Sequence, residues 1–111
     1  MVSDSKSGDD SQSFPEIDRT IHEPARLMIV AHLYVVTEAD FLFLERQTGL
    51  TRGNLSSHLG KLEEAGYIDV RKEFIEKIPH TVLRLTDAGR TAFDAYRRDM
   101  AKVLSTVTGE S

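Results

Sequence analysis

Two periodicities meet at a single glycine in this chain, and that junction limits what it can fold into. Before Gly66, Leu55, Leu59 and Leu62 recur at i, i+4 and i+7, which places them on one face of a helix. After it the spacing falls to every second residue. Ile68 and Val70 alternate with polar neighbours over Tyr67–Lys72, and Thr81, Leu83 and Leu85 do the same over Thr81–Leu85. These are two half-buried strands, joined through a loop from Glu73 to His80 whose end is restricted by Pro79.

Upstream of that helix, Phe41 to Thr48 reads as a shorter one. Gly49 is placed to stop it in the left-handed conformation and Thr51 to cap the next, which runs to about Ala65. With only Gly49-Leu50 between them, the two must cross sharply, as in a helix-turn-helix. Ala25 to Val36 is apolar except at Arg26 and His32, and Pro24 is tolerated in a first turn, so this is a central helix packed on several sides. Phe14, Ile17 and Ile21 suggest a short helix over Pro15–Ile21, and Thr37–Asp40 reads as a polar connector. Thr86 can cap a final helix in which Gly89, Phe93, Tyr96, Met100, Val103 and Val107 repeat at alternating fours and threes, the spacing of a helix seam. The expected fold is mainly α with a small β-hairpin: a winged helix-turn-helix, the hairpin being the wing.

The chain has 111 residues, enough for one compact domain. Residues 1–13 are small or charged and cannot bury enough apolar area to offset ordering, so they read as a disordered acidic arm. Residues 14–85 form the expected winged domain, and 86–111 a C-terminal dimerisation helix with a frayed tail. The net charge is −4, yet residues 41–84 carry +1 and are the only positive segment. There is no cysteine, which removes disulfides and thiol chemistry. No apolar run approaches the roughly 18 residues that span a bilayer, so a cytoplasmic protein is expected.

Nothing in the pattern supports catalysis. Glu63 and Glu64 are adjacent and point about 100° apart on a helix, so they cannot flank one atom, and Ser57-His58 fails as a nucleophile and base for the same reason. No phosphate-cradling glycine loop is present. His22, His32, His58 and His80 show no metal-ligand spacing on one helix, so neither metal nor cofactor is expected.

The outward face of the helix after Gly49 is unusual. Gly53, Asn54, Ser57, Gly60 and Lys61 occupy positions normally given to strong helix formers, and each glycine there costs about 1 kcal/mol relative to alanine. A face kept small and polar admits close approach to a groove edge, where Asn pairs with adenine and Arg with guanine.

Three stretches strengthen that reading by resemblance. Residues 21–33 (Ile-His-Glu-Pro-Ala-Arg-Leu-Met-Ile-Val-Ala-His-Leu) resemble the opening core helix of small winged-helix transcriptional regulators. Residues 50–68, from Leu-Thr-Arg-Gly-Asn-Leu to Ala-Gly-Tyr-Ile, resemble their recognition helix and first wing strand, and Leu-Arg-Leu-Thr-Asp-Ala-Gly-Arg at 83–90 their strand-to-helix exit. The likeness is to the compact family between the MarR-like and ArsR-like repressors and covers roughly residues 17–97. It implies a homodimer on double-stranded operator DNA, one recognition helix (about 51–65) per subunit in successive major grooves and the wing (about 67–85) on the flanking backbone. Matched by position, Thr51, Arg52, Gly53, Asn54, Ser56 and Ser57 are the DNA-facing start of that helix and Lys61 a phosphate-side position one turn on. The wing departs from the pattern: Glu76-Lys77-Ile78-Pro79-His80 stands where relatives often carry two or more arginines.

Lys77 and His80 are the wing's candidates for phosphate or minor groove, with Ile78 either there or packing. Arg71, Lys72 and Arg84 divide evenly between phosphate contact and plain solvation. His58, beside the leucine stripe, reads as half-buried. Phe93, Tyr96, Met100 and Val103, joined by Phe14, Ile17 and Ile21, are the expected dimer interface. Tyr34, His32, Phe93 and Tyr96 are of the type to line an effector pocket there for an unknown small molecule. The second reading is a winged-helix module that binds protein within a larger assembly.

Overall fold

The computed structural model describes residues 15–109. The element order is α1 (Pro24–Val35), β1 (Ala39–Asp40), α2 (Phe41–Thr48), α3 (Arg52–Glu64), β2 (Ile68–Ile75), β3 (Ile78–Leu85) and α4 (Asp87–Thr108). The expected acidic arm at 1–13, and Phe14, lie outside the described residues.

Local bonds set most helix ends. The Glu23 carboxylate accepts the Arg26 backbone N–H at 2.8 Å and opens α1 ahead of Pro24. The Asp40 carboxylate accepts from Leu42 N at 2.7 Å, Thr51 Oγ1 from Asn54 N at 3.1 Å, and Thr86 Oγ1 from Gly89 N at 2.9 Å. Gly49 closes α2 at φ 72°, and Gly66 turns the chain out of α3 at φ 82°, a region that favours glycine.

The core is shared by every layer. Ile29, Val30 and Leu33 of α1, Leu44 of α2 and Leu55, Leu59 and Leu62 of α3 meet Ile68, Leu83 and Leu85 of the sheet, with Phe93 and Tyr96 of α4 closing one end. Gly89 is where α4 crosses the sheet exit: a Cβ there would run into the Tyr67 carbonyl oxygen. That carbonyl also accepts from Thr86 N at 2.9 Å, while Thr86 Oγ1 donates to Gly66 O at 2.7 Å. Tyr67 donates its phenol to Asp18 Oδ2 at 2.5 Å, and this bond, with burial, pushes its pKa up to about 12.

Three expectations are corrected. No helix forms over Pro15–Ile21; Asp18 instead folds a turn, its Oδ1 accepting from Thr20 N and Ile21 N at 2.9 and 3.2 Å. Ile21 is fully buried beneath that turn. The Thr37–Asp40 connector contains a strand, since Ala39 and Asp40 pair with Leu83 and Val82 and give a sheet of order β1-β3-β2. A pair of residues is too short to carry a period.

The loop expected at 73–80 is mostly ladder. Pairing runs from Ile68↔Leu85 out to Ile75↔Ile78, and only Glu76-Lys77 turns, at φ 52° and 69°. These two residues lack the Asn-Gly signature of such turns, and each left-handed residue costs about 1–2 kcal/mol, which the added ladder offsets. Pro79 is accommodated because bonded and non-bonded pairs alternate: Ile75↔Ile78 closes the turn, so Phe74↔Pro79 is a non-bonded pair that needs no N–H from Pro79.

Candidate nucleic-acid interface

The packing of α3 divides it cleanly. Leu55, Leu59 and Leu62 are buried, while Arg52, Gly53, Asn54, Ser56, Ser57, Gly60 and Lys61 are exposed, with Thr51 at the cap beside them. A Cβ added at Gly53 or Gly60 would meet nothing within 4 Å, so neither glycine is required by the fold. Over its first two and a half turns the helix therefore presents a narrow, polar ridge whose side chains are short except at its two cations, and its last turn adds the exposed acids Glu63 and Glu64.

Those cations differ. Lys61 is exposed and forms no ion pair among the described residues. Arg52 is 67% exposed at its side chain, yet leans back onto α2: Nη2 lies 3.6 Å from Glu45 Oε1, and the guanidinium carbon sits 5.5 Å from the Phe41 ring centroid. His58 is half-buried, as expected. Its Nδ1 lies 3.1 Å from Arg26 Nη1, and since a guanidinium can only donate, that nitrogen accepts. Glu23 Oε1 is 3.8 Å from the same nitrogen. The Arg26 backbone N–H chiefly holds the Glu23 carboxyl below its ordinary value, with the nearby Arg26 charge adding to it.

The wing faces two ways. Residues opposite one another in the ladder share a face, so Val70, Lys72, Thr81 and Leu83 lie on the side of α3. With Phe41, Ser56, Leu59, Gly60 and Glu63 they line a cleft of about 220 Å³ between α3 and the hairpin. The other face is tied up in ion pairs. Arg71 Nη2 reaches Glu38 at 3.1 Å and Nε reaches Glu73 at 3.3 Å; Arg84 pairs with Asp69 at 2.8 Å. His80 Nδ1 lies 2.6 Å from Asp40 Oδ2, and that hydrogen bond is the main reason the Asp40 carboxyl is held below its usual range. Lys77 stands at the turn. Beside it Phe74 is 75% exposed, with Ile75 and Ile78 also uncovered, an apolar tip that the sequence had concealed in a supposed loop.

The candidate dimer residues fall into two groups. Ile21, Phe93 and Tyr96 are buried in the chain's own core; Ile17, Met100 and Val103 are half-buried, and beyond them Leu104 is 58% and Val107 68% exposed. Tyr34 and Phe93 rings pack at 4.9 Å, the Tyr34 hydroxyl donates to Asp94 Oδ1 at 2.6 Å, and His32 Nδ1 bonds Met28 O at 2.8 Å. The pairings of Arg52, Arg71, Arg84 and His80 were missed because their partners lie on other elements, and no local pattern announces them.

A short helix, a left-handed glycine turn, a second helix with an open polar face and an antiparallel hairpin define a winged helix-turn-helix module. Residues 25–104 match the family described as winged helix DNA-binding domain, and the chain belongs to that family. It is 39% identical over 71 residues to an uncharacterized protein of Methanocaldococcus jannaschii, covering 64% of this chain and 77% of that one. Among solved structures it is similar to a transcriptional regulator homologue from Pyrococcus horikoshii, at 30% identity, TM-score 0.68, and 82% and 87% coverage of the two chains. A MarR-family regulator from Enterococcus faecalis shares the fold at TM-score 0.69 and 22% identity, with 82% of each chain covered. The family resemblance and the winged fold read from the sequence are thus both found. Among the described residues no helix is long and apolar enough to cross a membrane.

Proposed function

We propose that this chain is a sequence-specific DNA-binding transcriptional regulator that acts as a homodimer. The observation that carries the reading is the open face of α3: small polar side chains, two glycines the fold does not need, and Lys61, which forms no ion pair among the described residues. Asn54, Ser57 and Arg52 are set to read base edges in the major groove, with Thr51, Gly53 and Ser56 allowing the backbone close. Lys61, and Lys72 across the cleft, neutralise phosphates; Lys77 meets the flanking backbone, and His80 joins it on exchanging its bond to Asp40 for a phosphate. Relatives described as transcriptional regulators support the same function.

The dimer interface is the distal seam of α4. Met100 and Val103 continue a stripe whose first part is covered by the chain's own core, and Leu104 and Val107 extend it into solvent. A second copy is the economical cover, since a twofold interface pairs one stripe with itself. Ile17 flanks it, while Ile21, Phe93 and Tyr96 support it from beneath. An unknown small molecule at that interface would act on the spacing of the two α3 helices.

The test is a salt titration of binding to mixed-sequence duplex DNA, with the mass of the protein in solution measured alongside. Binding by a dimer that weakens steeply with salt supports the reading. The second reading, a protein-binding module, is favoured by the apolar wing tip at Phe74, Ile75 and Ile78. Absence of DNA binding at low salt would move the assignment there.

A further inference from the structure

Arg52 stands where a helix disfavours it. It is the first residue of α3, at the positive end of the helix macrodipole, and the first turn holds no acid to offset it. Its compensation comes from α2, through the Glu45 carboxylate and the face of Phe41. Glu45 is the more enclosed of the pair, 29% exposed against 67% for Arg52, so the guanidinium is the end of the pair left open to a ligand.

Resting on the proposed function, we infer that Glu45 is a specificity-determining residue of the DNA contact, and acts through Arg52. A guanidinium has five donors in a planar fork. Glu45 engages the Nη2 edge, which holds the group in place and leaves other donors for an acceptor pair in the groove. The same carboxylate repels an anion arriving at that spot but not a neutral base edge. Both effects favour a guanine O6/N7 pair over a backbone phosphate as the partner of Arg52. Glu45 therefore lowers binding to arbitrary DNA more than binding to the cognate site. The Phe41 ring, 5.5 Å from the guanidinium carbon, adds a cation–π attraction that keeps the group on this side of α2.

Glu45→Gln keeps the size of the side chain and removes its charge. Binding is measured to a mixed-sequence duplex and to a duplex selected from a random library, for the parent, E45Q, R52A and the E45Q/R52A double variant. Glu16→Gln, an exposed acid outside the helix-turn-helix, controls for net charge. The expected result is a rise of about 3- to 10-fold on mixed-sequence DNA, little change on the selected duplex, and a rise cut to under about 2-fold once Arg52 is gone, when only direct repulsion of phosphate by Glu45 remains. An equal rise on both duplexes, a rise matched by E16Q, or a rise that survives undiminished in the R52A background overturns the inference while leaving the proposed function standing. A parent that binds neither duplex overturns both. Circular dichroism melting of each variant separates a misfolded protein from a changed contact.

Discussion

α3 and α4 are both amphipathic helices, and they leave opposite things uncovered. In α3 the apolar stripe of Leu55, Leu59 and Leu62 is satisfied within the fold, and what remains is polar or charged, and short over Gly53–Gly60. In α4 the stripe is satisfied only over Gly89, Phe93 and Tyr96. With 22 residues at 1.5 Å each, the helix spans about 33 Å and outruns the domain beneath it, leaving Leu104 and Val107 in solvent. One helix has spare polarity and suits a hydrated, charged partner; the other has spare hydrophobicity and suits a copy of itself. The glycines make the same distinction. Gly89 is required by close packing, whereas Gly53 and Gly60 face open space.

The contrast breaks first, and most, at the end of α4. Leu104→Glu places a charge in the proposed seam and is expected to raise the dimer dissociation constant by about 100-fold or more, read by sedimentation equilibrium. The monomer it leaves should still melt cooperatively, at a temperature lowered only by the lost association, if this surface serves assembly alone. An unchanged mass would mean that the stripe has another partner.

Substitutions on the open face of α3 come next. Asn54→Ala and Arg52→Ala are each expected to weaken binding to the selected duplex by about 1–3 kcal/mol and to relax preference at one base position. The two kinds of glycine give a paired test. Gly89→Ala is expected to destabilise the fold by about 1–3 kcal/mol through overpacking against Tyr67. Gly60→Ala should stabilise it by about 1 kcal/mol while weakening DNA binding, a trade that thermal melting and a binding titration read together. Lys61→Ala has a smaller effect: a uniform loss on all sequences and a salt slope shallower by about 0.9 per protomer.

The smallest effect is on acid stability. The Asp40 carboxyl caps α2 and bonds His80, and its pKa is depressed below the ordinary 3.8 in the folded chain. The unfolded chain therefore binds the proton first. The stabilisation is fully present above 3.8 and is lost as pH falls through the lower, folded value. Asp40→Asn should flatten that acid limb in denaturant titrations run from about pH 5 down to about pH 2.

Much of the architecture was legible because it rests on local bonds. Thr51 and Thr86 cap their helices through N–H groups three residues away, Gly49 takes the left-handed conformation expected of it, and Gly66 ends its helix as expected. The leucine stripe of α3 and the alternation at Ile68–Val70 and Leu83–Leu85 fell on the buried side. The short helix over Pro15–Ile21 was misread because Asp18 offers the backbone a competing turn, which residue spacing does not register. The length of the wing was missed because its turn uses Glu76 and Lys77, which carry no turn signature.

By itself, then, the sequence determined the order of the four helices and two wing strands, the caps at Thr51 and Thr86 and the buried faces of α3 and the wing, since propensity, capping and periodicity act within a few residues. The tertiary structure alone decided which charges are free. Arg71 meets Glu38, Arg84 meets Asp69, His80 meets Asp40 and Arg52 meets Glu45, each pair brought together from separate elements. Coulomb interactions and hydrogen bonds depend on distance through space, and that distance exists only once the sheet and helices have packed.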